Sequence, residues 1–357
     1  MMKAWILDHL GGELRLEDVT IPAVRPGSVL VRVEASVLMT YVKAYVEGRL
    51  PIYKAPKSPF TPGGNGIGVV TAVGKDVWHL KAGQRVIISP HIVAAENVAD
   101  PAQFLLGVTA FGPIAAAMQA DWPNGTLAQY ALLPKATVTA VQGLDHLSSV
   151  ELAATMRFAV PYGGLLRGRL APGETLVVVG ASGAYGSAAV RLGIALGAER
   201  VVAVGRNRDS LEAVARDNGP RVVPVALRGE PEPDAGAIRE AAGGAAQLAL
   251  DMVGDATDAN STLAALRSLR RRGRLVLMGS MSVPLPVPYM EMMANSWEII
   301  GNFMHPADAY LRLFSLIRAG LLDPRSIRTL TFPLDSLPAA IDAASSAKGS
   351  GCVVVTS

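Results

Sequence analysis

The fold is decided by residues 175–208, which read TLVVVGASGAYGSAAVRLGIALGAERVVAVGRNR. The apolar, β-branched run at 176–179 is typical of a strand that is buried on both faces. The next seven residues, GASGAYG, place a glycine at every third position. A helical pattern over 188–196 and a second apolar run at 201–204 follow. The stretch therefore predicts one β-turn-α-β unit.

The glycines of this turn have three separate predicted roles. One lets the chain turn sharply, one lets a pyrophosphate approach the backbone, and one lets the helix pack close to the strand. The helix N-terminus adds unpaired N–H groups and the positive end of its dipole. The unit therefore predicts dinucleotide binding, although a tight structural turn is the alternative that glycine spacing alone leaves open. The predicted contacts here are Ser182, Gly183, Ala184, Tyr185 and Gly186.

The tip of the second strand, Gly205-Arg206-Asn207-Arg208, indicates which dinucleotide binds. An NAD-binding unit usually places Asp or Glu about 20 residues past the glycines, where it accepts a hydrogen bond from the ribose 2′-hydroxyl. This tip carries no carboxylate, and the planar forks of its two arginines suit phosphate oxygens. Two solvated surface arginines are the alternative interpretation. We expect NADP(H) rather than NAD(H), with all four tip residues as contacts.

The rest of the chain predicts an α/β protein of two domains. Residues 1 to about 90 form short alternating runs separated by Gly and Pro, which indicates a mostly antiparallel β domain. Beyond the second strand, apolar runs at 248–253 and 274–278 predict two further strands of a doubly wound parallel sheet. Ligands of such sheets bind at the carboxyl ends of the strands. Val253 and Gly279, at those ends, are therefore predicted cofactor contacts.

Composition excludes several classes of protein. The 357 residues are 50% hydrophobic and 18% charged, with a net charge of +3, which argues against a dedicated nucleic-acid binder. The arginine run at 270–274 is interpreted as the end of a helix, where cations oppose the dipole. Apolar stretches are shorter than the roughly 18 residues of a membrane helix. The single cysteine, Cys352, and the absence of a signal-peptide pattern favour the reducing cytoplasm.

Three further motifs carry a resemblance to a known family. They are PGGNGIGVVTAVG at 62–74, GQRVI at 83–87 and GTLAQYALLP at 125–134, all ahead of the nucleotide unit. The chain resembles the medium-chain dehydrogenase/reductase superfamily over nearly its whole length. The resemblance implies a GroES-like catalytic domain from 1–155 and 302–357 and a Rossmann domain at 156–301, with the active cleft between them. It also implies a homodimer formed through Rossmann strands, for which 283–287 is a candidate edge.

The resemblance also locates the zinc ligands that many members carry. The family pattern puts Met39 and Met156 where two cysteines would be, and Gly64-Asn65 where a His-Glu pair would be. These residue types do not normally replace thiolate and imidazole around zinc. The segment that holds a structural zinc elsewhere in the family corresponds to part of 91–127, which has no cysteine. The chain is therefore similar to the zinc-free branch of quinone oxidoreductases and NADPH-dependent enone reductases.

Without a metal, a side-chain donor has to stabilise the oxygen that gains charge. Tyr41 is the main candidate, because it lies two residues beyond Met39, where zinc-containing relatives place a relay hydroxyl. A tyrosine that only packs in the cleft wall is the alternative. Thr40 and His91 are weaker candidates, and a lone histidine is more often structural.

The sequence leaves three functions open. The first is zinc-independent hydride transfer from NADPH to a quinone or an enone. The second is a metal-free alcohol dehydrogenase or carbonyl reductase that uses Tyr41. The third is a weakly catalytic NADPH-binding protein. In all three, Asn302 and Phe303 are predicted to contact the nicotinamide, because the chain is expected to cross back between the domains there.

Overall fold

The computed structural model describes residues 1–347, 349 and 351–357. The chain divides into two compact units. The first unit comprises Met1–Met156, Pro324–Ala347 and Gly351–Ser357, and the second comprises Arg157–Asp323. The chain therefore returns to the first unit later than residue 302, where the sequence analysis expected it.

The first unit is rich in short strands up to Met156. In chain order its elements are β1 (Met2–Leu7), β2 (Leu14–Val19), β3 (Ser28–Leu38), α1 (Val42–Val46), β4 (Gly66–Val73), β5 (Arg85–Ile88), β6 (His91–Val93), β7 (Gln103–Leu105), β8 (Thr109–Ala110), α2 (Pro113–Asp121), β9 (Tyr130–Pro134), β10 (Val138–Ala140) and α3 (Ser149–Ala154).

The second unit alternates strands with helices. Its elements are α4 (Met156–Arg167, whose first residue belongs to the first unit), β11 (Thr175–Val179), α5 (Ala184–Ala195), β12 (Arg200–Gly205), α6 (Arg208–Asn218), β13 (Val222–Ala226), α7 (Pro231–Ala242), β14 (Ala246–Asp251), α8 (Asn260–Arg267), β15 (Leu269–Leu277), α9 (Tyr289–Asn295), β16 (Glu298–Gly301) and α10 (Ala309–Arg318). The chain then completes the first unit with β17 (Thr329–Pro333), α11 (Leu337–Ser346) and β18 (Cys352–Thr356).

The main sheet of the first unit has the strand order β10-β5-β4-β3-β18-β17, and β9 also pairs with β3. Its pairs are antiparallel except for β17 with β18. Alternating residues of β3, among them Val29, Val31 and Val33, are almost completely buried in the core. Nine of the eleven residues of β3 are buried, so this central strand is covered on both faces.

The sheet of the second unit is six-stranded and has the order β13-β12-β11-β14-β15-β16. Every pair in it is parallel. All five residues of β11 are buried, since helices cover both faces of such a sheet. The prediction of a GroES-like β-rich domain with a Rossmann-type parallel sheet is confirmed. The strand order changes direction at β11 and β14, and ligands of open α/β sheets bind beyond the carboxyl ends of such strands.

Two local predictions were wrong. The arginines at 270–272 lie at the start of β15, not at a helix end, because α8 already ends at Arg267 and buried Leu269 begins the strand. The segment 283–287 forms no strand, and the edge of the sheet beyond β15 is β16. The homodimer stays a prediction. In the described part of the chain, no helix combines the length and apolarity that crossing a bilayer requires.

Candidate functional site

In the turn between β11 and α5, three glycines have different structural roles. Gly180 has a φ of +76°, a left-handed conformation that favours glycine. Gly186 lies in the first turn of α5, where an added Cβ would overlap the carbonyl oxygen of Gly180. At Gly183 an added Cβ would have only that same oxygen, at 3.2 Å, within 4 Å. The turn therefore leaves bare backbone open to a ligand at Gly183, directly before the N-terminus of α5.

A cavity of about 460 Å³ lies beyond the carboxyl ends of β11 to β14. It brings together five of the residues that the sequence predicted as cofactor contacts, which are Ser182, Gly183, Gly205, Arg206 and Val253. An open glycine backbone, a free helix N-terminus and a cation at one cavity fit the pyrophosphate and ribose of a dinucleotide. The second unit thus offers the chemistry that a bound dinucleotide needs.

The remaining predicted cofactor residues do not line this cavity. Ala184 and Tyr185 open α5, and Asn207 caps α6 by accepting a hydrogen bond from the Ser210 amide at 2.9 Å. The Asn302 amide donates to the Met304 carbonyl at 2.9 Å, and Phe303 is 45% exposed. Gly279 packs so closely on the backbone of Val253 that a Cβ would overlap its carbonyl oxygen. Arg208 lines a neighbouring groove instead.

Arg228 was not among the residues predicted from the sequence. It follows β13 and lines the cavity together with Arg206. Its loop is fixed by the buried carboxylate of Asp234, which accepts hydrogen bonds from the amides of Arg228, Gly229 and Glu230 at 2.9, 2.9 and 3.1 Å. The side-chain Nδ2 of Asn260 also donates to the Gly229 backbone carbonyl at 2.9 Å. The sequence feature that could have indicated this residue is the Arg228-Gly229 pair, which begins two residues after the end of β13.

Arg208 lines a neighbouring groove of about 740 Å³ formed by α6, β13 and α7. Arg228 lines this groove as well as the cavity, so it stands between the two. Three exposed guanidiniums, those of Arg206, Arg208 and Arg228, therefore gather beyond the ends of β12 and β13. One carboxylate, Asp258, also lines the cavity, but it comes from the loop after β14 and its Oδ1 accepts from the Asn260 amide at 2.9 Å.

A buried carboxylate, Asp251, supports the cavity from the end of β14. It is 3% exposed, accepts a hydrogen bond from the Thr262 hydroxyl at 2.5 Å and another from the Val253 amide at 2.9 Å. Its backbone carbonyl accepts from the amides of Met278 and Gly279, both at 3.0 Å. Burial raises the pKa of Asp251, and the hydrogen bonds from Thr262 and Val253 oppose that rise. This one residue therefore holds the loops after β14 and β15 in place.

We expect Asp251→Ala to lower the free energy of unfolding by about 3 kcal/mol, because it leaves buried donors without an acceptor. Asp251→Asn should lose less, since its amide keeps one acceptor oxygen. The raised pKa means that the folded state binds the proton more tightly than the unfolded state. The parent should therefore gain stability relative to Asp251→Asn as the pH falls from about 7 to the ordinary carboxyl pKa of about 4. Urea unfolding of the three proteins at both pH values measures this, and a gain in the opposite direction would refute it.

The family resemblance assigns zinc-ligand positions to Met39, Gly64, Asn65 and Met156, and three of these lie in one part of the first unit. Met39 and Asn65 lie together, with the Asn65 Nδ2 donating to the Met39 sulfur at 3.6 Å. At Gly64 an added Cβ would lie 2.6 Å from both the Leu106 carbonyl oxygen and the Cβ of Pro90. The backbone packing thus has no room for a histidine side chain there. Within the described residues, no cluster of three or more His, Cys, Asp or Glu side chains is arranged to hold a metal. These residues do not fit zinc.

The predicted catalytic residues of the first unit have separate surroundings. Tyr41 directly precedes α1, is half-buried, and its ring centroid lies 5.5 Å from that of Tyr53. Thr40 is exposed. The Nε2 of His91 lies 2.9 Å from the Gln103 Oε1 on the neighbouring strand β7. Tyr41 is therefore the candidate that has a second ionisable side chain beside it within an apolar cluster.

A buried cation in the second unit was also missed by the sequence analysis. Arg157 is 3% exposed, and its guanidinium lies 5.8 Å from the centroid of the Tyr185 ring. This distance falls within the range of cation–π contacts. Tyr310 in the same unit is also buried, and its ring centroid lies 5.4 Å from that of His305. The ring of Tyr185, which the sequence predicted as a cofactor contact, therefore packs against this cation.

Two sequence profiles match the chain. The profile of the alcohol dehydrogenase GroES-like domain matches residues 25–143, and the profile of the zinc-binding dehydrogenases matches residues 184–318. Among individual relatives, an alcohol dehydrogenase of Moraxella sp. (strain TAE123) is 30% identical over 313 residues, which is 85% of each chain. The sorbitol dehydrogenase of Bacillus subtilis (strain 168) is 26% identical over 356 residues, covering 96% of this chain and 93% of its own.

Solved structures show the same fold at lower identity. An alcohol dehydrogenase from E. coli CFT073 in complex with NADH has a TM-score of 0.81 and 19% identity, covering 100% of this chain and 99% of its own. A protein assigned as a zinc-binding dehydrogenase from Sinorhizobium meliloti 1021, bound to NADP, has a TM-score of 0.77 and 21% identity, with the same coverage. With a GroES-like first unit, a Rossmann second unit and these relatives, the chain belongs to the medium-chain dehydrogenase/reductase superfamily of oxidoreductases.

Proposed function

We propose that the protein is a zinc-independent, NADP(H)-dependent alcohol dehydrogenase or carbonyl reductase. The observation that carries this proposal is the replacement of the zinc-ligand set by Met39, Gly64, Asn65 and Met156, with packing at Gly64 that excludes a side chain. The alcohol and sorbitol dehydrogenases among the relatives support the alcohol–carbonyl reaction over the quinone or enone reduction that the sequence analysis put first.

The preference for NADP(H) rests on charge at the tips of β12 and β13. Arg206 and Arg228 line the cavity, and Arg208 lies in the adjoining groove. A 2′-phosphate carries up to two negative charges, and a guanidinium binds phosphate oxygens through two parallel N–H donors. The residue that would meet the ribose of NAD(H) at the tip is Asn207, whose side-chain oxygen is already used in capping α6. One solved relative contains NADH and another contains NADP, so the choice of NADP(H) for this chain rests on these residues.

The chemistry assigned to the protein is the reversible conversion of an alcohol into a carbonyl compound. A bound nicotinamide accepts or supplies the hydride. The Tyr41 hydroxyl then has the task that zinc performs elsewhere, which is to hydrogen-bond the substrate oxygen and to exchange a proton with it. Carbonyl reduction takes up one proton for each hydride, and alcohol oxidation releases one. The tight contact at Gly64 and the Met39 sulfur supply an apolar wall rather than a ligand.

Reduction of quinones or enones is the second candidate, and the same absence of zinc-ligand side chains favours it, because these acceptors need less activation than a ketone. Oxidation of NADPH by purified protein separates the candidates in a panel of ketones, aldehydes, quinones and enones, run with and without a chelator. We expect ketones or aldehydes to be reduced fastest, with no loss under chelation. Faster quinone or enone turnover would instead establish the second candidate. Tight NADPH binding without turnover of any acceptor would contradict both and leave a binding protein.

A further inference from the structure

Three tyrosines of the first unit, Tyr41, Tyr45 and Tyr53, share one apolar cluster around buried Phe60. The ring centroid of Tyr53 lies 5.5 Å from that of Tyr41 and 5.7 Å from that of Tyr45. Tyr53 is therefore the central ring of the three. Such clusters are usually structural, and the hydrogen-bond partner of each hydroxyl distinguishes a structural tyrosine from one that could transfer a proton.

The hydroxyl groups of the outer two tyrosines have different partners. The Tyr45 hydroxyl donates to the Val108 carbonyl at 2.8 Å and is thereby occupied by the backbone. The Tyr41 ring lies 5.5 Å from the Tyr53 ring at an angle of 44°, so the two phenols lie side by side, and Tyr41 acts on Tyr53 as a hydrogen-bonding neighbour. Burial raises the pKa of Tyr53, and the hydrogen bond from Tyr41 opposes this rise by stabilising the charged form. Tyr41 and Tyr53 therefore form a phenol pair, from which Tyr45 is excluded.

Tyr53 also lines a groove of about 1050 Å³ between the loop 53–58 and helix α2. The rim of this groove carries the exposed side chains of His9, Lys54 and Lys57, which places it at the solvent-facing surface of the first unit. Among the described residues, Tyr53 lines the groove and Tyr41 does not. Tyr53 thus contacts Tyr41 and also lines a solvent-accessible groove.

We propose that Tyr53 is the second hydroxyl of a proton relay that links Tyr41 to the groove beside α2. This inference rests on the proposed function, in which Tyr41 contacts the reacting oxygen. In alcohol oxidation the substrate O–H bond breaks and its proton moves to the Tyr41 oxygen. The Tyr41 proton moves to the Tyr53 oxygen, and the Tyr53 proton passes to water in the groove. One proton is released for each hydride transferred to NADP⁺, and carbonyl reduction follows the same path in reverse.

The relay makes Tyr53 a positioning and proton-transfer residue that acts through Tyr41. A phenol passes a proton through its hydroxyl, because the oxygen accepts one hydrogen bond while the O–H donates another. Phenylalanine keeps the ring packing of the cluster and removes this path. The chain also offers a matched control in Tyr45→Phe, which removes a hydroxyl from the same cluster without touching the link to Tyr41.

The test compares Tyr53→Phe, Tyr45→Phe and the parent with NADPH and the fastest acceptor of the panel. We expect Tyr53→Phe to lower kcat about tenfold with little change in KM, because proton transfer is impaired while binding is not. Its kcat should rise on addition of imidazole, a small proton carrier, and its pH–rate profile should shift. Tyr45→Phe should match the parent in kcat, imidazole response and pH profile.

A second readout needs no turnover. The ionisation of the tyrosines is followed by ultraviolet difference spectra. Subtracting the Tyr53→Phe titration from that of the parent gives the titration of Tyr53 beside Tyr41. Subtracting the Tyr41→Phe/Tyr53→Phe titration from that of Tyr41→Phe gives the titration of Tyr53 without that neighbour. We expect Tyr53 to titrate at higher pH in Tyr41→Phe, since the hydrogen bond that lowers its pKa is gone. An unchanged titration, or a Tyr53→Phe variant that behaves like Tyr45→Phe, overturns the relay. Full activity of Tyr41→Phe would contradict the proposed role of Tyr41 as well. Failure of the relay through Tyr53 is therefore distinguishable from failure of the proposed function.

Discussion

Replacing Arg206 with alanine should raise the Kd for NADPH about 100-fold and leave the Kd for NADH within about twofold. Arg206 lines the dinucleotide cavity from the tip of β12, where the 2′-phosphate distinguishes the two cofactors. A hydrogen bond to a charged group contributes about 1.5–3 kcal/mol, and each 1.4 kcal/mol is a tenfold change in affinity. Fluorescence titration of NADPH and NADH into the parent and the variant measures both constants.

The neighbouring arginines sharpen this experiment. Arg228→Ala should weaken NADPH binding selectively, because Arg228 shares the cavity, and Arg208→Ala should have a smaller effect because Arg208 lies in the adjoining groove. Arg216→Ala is the matched control, since this exposed arginine of α6 lines neither space. Equal affinity of the parent for NADPH and NADH, or equal losses for both cofactors in Arg206→Ala, would contradict the assignment of NADP(H).

Replacing Tyr41 with phenylalanine should lower kcat for carbonyl reduction about 100-fold or more. A positioned general acid contributes roughly 10²–10⁴-fold, and residues 1–347, 349 and 351–357 offer no cluster of metal ligands that would compensate for its loss. The ring remains in the apolar cluster with Tyr53, so we expect the fold to survive. Steady-state kinetics with the fastest acceptor of the panel, together with the Kd for NADPH, provide the measurement.

The Kd for NADPH serves as the internal control for this variant. Tyr41 belongs to the first unit and the dinucleotide cavity is formed by the second, so cofactor affinity should stay within about twofold of the parent. A tenfold or smaller loss of kcat would show that another group activates the oxygen, as expected for a quinone acceptor. Loss of NADPH binding would instead indicate a structural role for the Tyr41 hydroxyl.

The second unit was the more predictable part of the chain. Periodicity and glycine spacing predicted β11, the turn and β12, because a strand buried on both faces and a phosphate-binding turn leave local signatures. The helix over 188–196 was expected to start later than it does. It begins at Ala184, since the last glycines of the turn already belong to its first residues and its cap. The sequence pattern marked the apolar face of the helix rather than its beginning.

The site residues that were missed depend on tertiary packing. Arg228 lies in a loop that Asp234 and Asn260 hold by hydrogen bonds, and the Arg-Gly pair in the sequence does not by itself reveal these contacts. Tyr53 is likewise joined to Tyr41 by the packing of a loop. The arginines at 270–272 were mistaken for a helix end because charged residues before a glycine suit both a helix terminus and the exposed start of a strand. Long-range contacts decide such cases.

The central claim is that side chains, and no zinc ion, activate the substrate oxygen. The most direct measurement is the zinc content of the purified protein together with its NADPH-dependent carbonyl turnover before and after exhaustive dialysis against a chelator. We expect far less than one zinc ion per chain and an unchanged rate of turnover after dialysis. Stoichiometric zinc, whose removal abolishes turnover and whose return restores it, would contradict the account.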